Sequence, residues 1–461
     1  MKQAYPDGPR VNIPLLIMGQ MLPRLFPLDP LGFGVEVARR YGDIAHYKVG
    51  PLHIYQLNHP DLIRQVVVEQ PETFVKPKLM KRVFRPFAGD GLLTSDGAFW
   101  KRQRSLMQPA FHQRHLAAYG DVMVAQALGM TEGIADGEVR DIAAEMAKLT
   151  LRIVVRTLFG SDLPREAQDI GAPMTAVLDA ANERMNNLLQ LPSWVPTRRN
   201  VREKRAIARL DAILDSFILA RRASRENGEG NADLLSRLLA AVDAESGDRM
   251  SDQQLHDEMM TLFLAGHETT AGALTWIWYL LSQNPDAEAK LLEELHGVLG
   301  GRAPAMTDLP KLPYTDMVVR EAIRLYPPAP QFAREPIRDV SIGKYVVVRG
   351  SLILVNTYAL QRDERFFAEP ERFDPERFAK GWEERIPRYA YLPFGGGPRV
   401  CIGNGFAMME ARLVLATVAQ RYRLSLEPGQ DIRPVQLVTL RPNGPVRMQI
   451  ERRAAINSCS G

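Results

Sequence analysis

The sequence predicts a mainly α-helical chain with a smaller β portion, an α+β arrangement forming one domain over residues 1–461. Three observations carry this reading. From Leu116 to Glu294 the apolar residues follow a helical period with one strong break, "LPSWVPTRRN" at 191–200. After Pro327 the texture changes, and "VSIGKYVVVRGSLILVNTYAL" (340–360) reads as strands. Two more strand-like stretches lie far apart, "IAHYKVGPLHIYQLN" at 44–58 and "VQLVTLRPNGPVRMQIE" at 435–451. The β-rich part is therefore expected near 40–75, 330–360 and 430–452, and the helical part near 76–329 and 361–425.

Each element has a local reason. Residues 44–58 divide into two short strands around Gly50-Pro51, and Pro60 suits a first helical turn in "HPDLIRQVVVEQ". Residues 76–97 mix Pro, Gly and aromatics without a period, which predicts a mobile loop with a short helix. "AFWKRQRSLMQPAFH" begins a helix that stops near Pro109. Residues 252–282 form one long helix, with Ser251 or Asp252 as N-cap and Asn284-Pro285 as the stop; its length is roughly 45 Å. Residues 363–393 are an irregular meander, 405–422 are helical, and the last strands are expected to close as a hairpin over Asn443-Gly444.

Composition narrows the function classes. The chain is 46% hydrophobic, enough for a large core. A net charge of only +4 argues against a nucleic-acid binder. The apolar N-terminal run is broken by Pro14, Gly19 and Pro23, so it is neither a signal peptide nor the ~20-residue span of a membrane anchor. A soluble cytoplasmic chain is expected, with a weak interfacial contact by Leu15 to Phe26 as the lesser reading. Cys401 and Cys459 make no disulfide framework and no zinc spacing, which favours a reducing compartment.

The chemistry concentrates in "FGGGPRVCIG", Phe394 to Gly403. It reads either as a tight turn beside an inert buried cysteine or as a loop presenting a thiolate to a metal. Three glycines cannot fill a core, so they are read as letting the backbone approach a flat ligand. N–H groups after Cys401 and the positive end of the next helix favour a thiolate, which is a good axial ligand for haem iron. A second cluster, Glu268-Thr269-Thr270 within "FLAGHETTAGALTWIWYLL", is costly in an apolar helix unless paired or facing water. It is either a groove edged by a hydroxyl and a carboxylate or a polar stripe packed on a neighbour.

F-G-G-G-P-R-V-C-I-G resembles the haem-binding signature of the cytochrome P-450 superfamily, the haem-thiolate monooxygenases. The resemblance implies that fold, with haem b between the long central helix and the cysteine-loop helix, and with Cys401 as the metal ligand and Phe394 opening the loop. Ala265-Gly266-His267-Glu268-Thr269-Thr270 is similar to the family's acid–alcohol motif, which implies that Thr269 hydrogen-bonds dioxygen while Glu268 relays protons. His267 should point away from the haem. "REAIRLYPP" matches the family's buried brace, implying that Glu321 and Arg324 are joined by an arginine of "ERFDPERF": Arg377, or else Arg372. Trp100, Arg104, Arg334 and Arg399 resemble the family's propionate contacts, with His112 a further one; taken singly, each arginine also reads as a solvated surface group.

By position in the family, the substrate pocket is expected at Val83, Phe84, Phe87, Leu262, Ala265, Ala329 to Phe332 (including Gln331), Val438 and Thr439, with 173–210 as a lid. These positions are mainly apolar, so a hydrophobic substrate follows: a fatty acid, terpenoid or steroid. Lys81, Arg82 or Arg85 is a candidate anchor for a substrate carboxylate. No flavin or iron–sulfur motif is present, so electrons come from a ferredoxin or flavodoxin-type partner with its reductase, which would dock on a basic face near Lys101, Arg102 and Arg388. The implied enzyme is a monomeric oxidoreductase inserting one oxygen atom of dioxygen. The rivals are a peroxide-using or isomerising haem-thiolate enzyme and a non-catalytic haem-binding protein.

Overall fold

The structure is a computed structural model describing residues 5–12, 29–161, 170–186, 194–226, 233–243 and 247–453. Helix α1 (Pro30–Tyr41) is capped by Asp29, whose Oδ1 accepts from Gly32 N at 2.9 Å. β1 (Ile44–Val49) and β2 (Leu52–Leu57) then pair antiparallel about Gly50-Pro51, as their alternation predicts. Pro60 opens α2 (Pro60–Arg64), which widens into a π-helical turn over Gln65–Glu69 before β3 (Phe74–Val75).

The segment 76–97, expected to be a loop with a short helix, holds the eleven-residue α3 (Lys78–Ala88), with Pro86 inside it. Val83, Phe84, Phe87 and Ala88 are buried along one face, and that burial outweighs a helix-breaking proline close to the C-terminal end. α4 (Gly97–Met107) stops near Pro109 as expected, giving way to a short 3₁₀ turn over Gln108–Phe111.

Next come α5 (Gln113–Thr131), β4 (Glu138–Asp141), α6 (Ile142–Phe159), α7 (Gly171–Asn186), α8 (Arg198–Glu226) and α9 (Leu234–Ala240). β4 interrupts the stretch expected to be helical. Its four residues show no apolar alternation and are held by a strand some three hundred residues away. The predicted break at 191–200 is irregular at 194–197, and 187–193 lie outside the described residues, as do Leu15 to Phe26 and Cys459.

The central helix α10 spans Asp252–Gln283. Ser251 and Gln254 close a capping box: Gln254 N donates to Ser251 Oγ at 3.2 Å, and Ser251 N donates to Gln254 Oε1 at 2.9 Å. Asn284 ends the helix and Pro285 starts α11 (Pro285–Leu299); α12 (Pro313–Leu325) follows. Leu274, Ile277 and Leu281 of α10 pack among buried residues of α5, α6, α11, α12 and α15 (Asn404–Ala419). Met259, Met260 and Phe263, nearer its start, pack with α3, α7, α8 and α9. One helix thus serves two cores.

β5 (Phe332–Pro336), β6 (Val340–Ile342), β7 (Tyr345–Val347) and β8 (Leu352–Val355) fill the segment predicted as strands. β2 and β8 are parallel, and the five-stranded sheet runs β1-β2-β8-β5-β3. α13 (Thr357–Leu360) leads into the meander, which holds only the four-residue α14 (Trp382–Arg385) and a 3₁₀ turn at Pro375–Phe378.

The C-terminal hairpin is not where the sequence put it. β10 (Pro434–Gln436) pairs with β11 (Leu440–Pro442) across Leu437–Thr439, whereas β12 (Arg447–Arg452) pairs with β4 and with β9 (Tyr422–Leu426). Asn443 turns back to this shorter hairpin, its Oδ1 accepting from Arg433 N at 2.9 Å. Val446 N donates to Asp141 Oδ1 at 3.1 Å, which carries the chain away to β12.

Candidate active site

Cys401 lies between the meander and α15. Its N–H donates to Phe394 O at 2.9 Å, closing the glycine loop into a compact turn. Gly395 and Gly397 have φ of +71° and +67°, a region that disfavours side chains. A Cβ on Gly397 would sit 1.8 Å from Val67 O in the π-helical turn. The close approach that requires glycine is therefore to this protein backbone.

The Gly403 N–H and the positive charge of Arg104 act on Cys401 to favour the thiolate. Burial nevertheless pushes the thiol up overall. Cys401 retains accessible surface even so. The two facts agree if that surface opens onto an enclosed cleft and not onto bulk water. Accessible residues also recur inside the central helix, where Leu262, Ala265 and Thr269 line one face at spacings of three and four.

The apolar cluster under α3 collects five of the expected pocket residues. Phe84 and Phe87 are buried edge to face at 5.6 Å, and Leu262 and Val438 pack against the same cluster, as does Ile402 beside Cys401. Val83 belongs there too. Ala329 is exposed and Gln331 half-buried, while Phe332 packs on the sheet core. Thr439 is buried and spends its hydroxyl on Glu268.

Around Trp100 the structure gathers cations. Lys76 Nζ, Arg104 and Arg399 lie 5.8, 5.9 and 5.3 Å from its ring centre. Among the described residues Asp96 is the one carboxylate in direct contact with this group, 3.2 Å from Arg399 and 2.7 Å from Lys81. Burial, reinforced by Arg399, pushes Arg334 down to about 10. Burial, with Arg399, Arg334 and Lys81 adding to it against Asp96, pushes Lys76 down to about 7. Arg104 has no ion-pair partner among the described residues, and Arg399 Nε is buried without one. The cluster carries more positive charge than it neutralises. His112 is not drawn in: exposed, it caps α5 through Nδ1, which accepts from Arg114 N.

On α10, Thr269 Oγ1 donates to Ala265 O at 2.7 Å. Glu268 is buried, and its Oε1 accepts from Thr439 Oγ1 and from Arg441 Nε at 2.5 Å. His267 turns the other way, its Nε2 meeting Ala147 O of α6 at 3.0 Å, and burial pushes it down to about 4.

Glu321 and Arg324 are wholly buried and paired twice, at 2.6 and 2.8 Å. Arg324 also donates to Gln361 O just ahead of the meander and to Pro370 O and Arg372 O within it. Arg377 Nε reaches Glu321 at 3.4 Å, whereas the Arg372 side chain pairs with exposed Glu369.

The candidate carboxylate anchors have partners of their own. Lys81 pairs with Asp96, and exposed Arg85 pairs with Asp90 at 2.7 Å; Arg82 is exposed. Arg102 is similarly engaged with Asp243 at 3.5 Å, which leaves Lys101 and Arg388 exposed on the face expected to be basic.

The cytochrome P450 family model matches residues 6–449. The chain belongs to the cytochrome P450 family. It is similar to cyclooctatin synthase of Streptomyces melanosporofaciens, 41% identical over 90% of this chain and 89% of the relative. It resembles pentalenene oxygenase of Streptomyces avermitilis at 36% identity, over 90% and 91% of the two chains. It also resembles cyclooctat-9-en-7-ol 5-monooxygenase of S. melanosporofaciens at 36%, over 85% and 84%. As a P450 this protein is a haem-thiolate monooxygenase that uses dioxygen on a hydrophobic small molecule, and relatives named as oxygenases do not favour the peroxide-using, isomerising or non-catalytic rivals.

The residues present fit a haem. Cys401 is an exposed residue within electrostatic reach of Arg104, and an under-neutralised cation cluster beside Trp100 suits a group with two carboxylates. Among the described residues no helix is long and apolar enough to cross a membrane. Sequence reasoning missed Lys76, Asp96 and Arg441. Lysine and arginine are ordinarily surface residues, so nothing local marks these as buried participants.

Proposed function

We propose that this P450 hydroxylates or epoxidises a terpenoid, with haem b held by Cys401. The observation that carries the site is the surplus of cations around Trp100, within electrostatic reach of the exposed Cys401. Trp100, Arg104, Arg334 and Arg399 would meet the two propionates, with Lys76 beside them, and Phe394 would fix the loop. The bound haem supplies the activation of dioxygen and the delivery of one oxygen atom. The chain's own residues bind and orient the substrate, exclude water and move protons.

The terpenoid reading draws on the relatives' names and on the apolar cluster that joins Phe84, Phe87, Leu262 and Val438. Ala265, Ala329, Gln331 and Phe332 would complete the pocket, with α7 and the start of α8 as its lid. Of the candidate anchors for a fatty-acid carboxylate, Lys81 and Arg85 already pair with Asp96 and Asp90, which leaves Arg82. Glu268 would relay protons and Thr269 would orient dioxygen, while Glu321, Arg324 and Arg377 brace the meander.

Electrons would come from a ferredoxin or flavodoxin-type protein and its reductase, docking near Lys101 and Arg388. The protein would act as a cytoplasmic monomer, folded as one domain over 1–461.

The test is a carbon monoxide difference spectrum of the reduced wild type and Cys401→Ala, followed by spectral titration with pentalenene and cyclooctat-9-en-7-ol. A strongly red-shifted Soret band in wild type only is expected, with a substrate-induced shift on adding a terpenoid. A histidine-type band in wild type would remove Cys401 from its role; a response to fatty acids alone would replace the substrate class.

A further inference from the structure

The acid expected to relay protons is not a free side chain. Glu268 Oε1 takes donors from two residues of the β10–β11 hairpin: the Thr439 hydroxyl and the Arg441 guanidinium, through both Nε and Nη2. Glu268 Oε2 is buried and has no partner among the described residues. The two oxygens of one carboxylate are thus in different states, one saturated by hydrogen bonds and one bare. The Arg441 side chain is 28% exposed, so the same guanidinium that holds the buried carboxylate reaches water. Thr269, the next residue on α10, has its hydroxyl proton on Ala265 O and its oxygen free to accept.

We propose that Arg441 and Thr439 clamp Glu268 by Oε1, so that protons enter and leave through Oε2 alone, with Arg441 marking the solvent end of the path. This inference rests on reading Glu268 as the relay acid. In the step itself, a hydronium at the Arg441 end gives its proton to Oε2, leaving water and a neutral carboxyl. The Oε2–H bond then breaks as that proton passes to a water in the cleft beside Thr269, which becomes hydronium, and the carboxylate is restored. The clamp matters because a buried carboxylate with one bare oxygen stays in place only if its other oxygen is well compensated. Without Arg441 the side chain loses both its counter-charge and its fixed direction. Arg441 and Thr439 are positioning residues, acting through Glu268.

The test uses the haem-loaded enzyme with spinach ferredoxin and its reductase as electron donors. Dioxygen consumption is measured in H2O and D2O for Arg441→Met, Arg441→Lys, Thr439→Val, Glu268→Gln and the double variant Arg441→Met/Glu268→Gln. Carbon monoxide spectra confirm that each retains its thiolate haem. Arg441→Met is expected to slow turnover about tenfold and to raise the solvent isotope effect, short of the ~100-fold that loss of an acid costs. Arg441→Lys should restore most of the rate, and the double variant should be no slower than Glu268→Gln. Thr439→Val provides the same comparison if Arg441→Met does not fold. Wild-type rates in Arg441→Met and Thr439→Val beside a slow Glu268→Gln would overturn the clamp. A wild-type Glu268→Gln would instead overturn the relay reading beneath it.

Discussion

Glu258 shows how one buried group sets a pH response. On α10 its Oε2 accepts from Leu92 N at 2.8 Å, while Oε1 is buried without a partner. Burial pushes it up to about 7, from 4.5 in the unfolded chain. The folded protein therefore takes up a proton between those values, and stability falls as pH rises through that window. Glu258→Gln should match wild type near pH 4.5 and exceed it above pH 7, by on the order of 3 kcal/mol at most. Thermal midpoints of both proteins across that range check this; parallel curves would mean that the carboxylate stays hydrated. The same scale shows what the sequence could tell. Cys401, Glu268 and Thr269 stood out because a motif or an unusual polar cluster marks them. Lys76 and Arg441 carry no such mark, since their roles arise from residues brought beside them by the fold.

Elements were legible where their own residues fix them. α10 declares its ends through Ser251, Gln254, Asn284 and Pro285. β1 and β2 declare theirs by alternation about Gly50-Pro51. The extent of α3 and the existence of β4 were hidden, because burial of Phe84 and Phe87 decides the first and a distant partner strand decides the second. The glycine loop was recognised, but the reason for its third glycine was not: the contact is with Val67 of the π-helical turn. A graded prediction follows. Gly395→Ala meets no neighbouring atom and should cost about 1 kcal/mol from its positive φ alone. Gly397→Ala adds a collision with the Val67 carbonyl and should abolish the red-shifted carbon monoxide band. Equal haem content in the two variants would refute the packing argument.

Across the whole molecule, the buried brace links parts that the chain keeps far apart. Arg324 on α12 holds Glu321 and the meander carbonyls of Pro370 and Arg372 at once, while Arg377 only approaches Glu321 from the rim. Arg324→Ala would strand a buried carboxylate and cost about 3–5 kcal/mol, enough to prevent recovery of haem-loaded protein. Arg377→Ala leaves the inner pair intact and should cost about 1 kcal/mol. Denaturant titration of both variants measures the difference.

The same separation governs how the chain is made. β12 joins β4 and β9, and the contact that starts this pairing, Val446 N to Asp141 Oδ1, spans 305 residues. β2 likewise waits for β8, with Ile54 opposite Leu352. On a ribosome one edge of β2 stays unpaired until β8 is made, and β4 stays unpaired until the chain is nearly finished. The yield of folded protein in a cell is therefore set by how long those edges escape aggregation, and slower translation at low temperature, or a holdase chaperone, should raise it where a more stable native state would not.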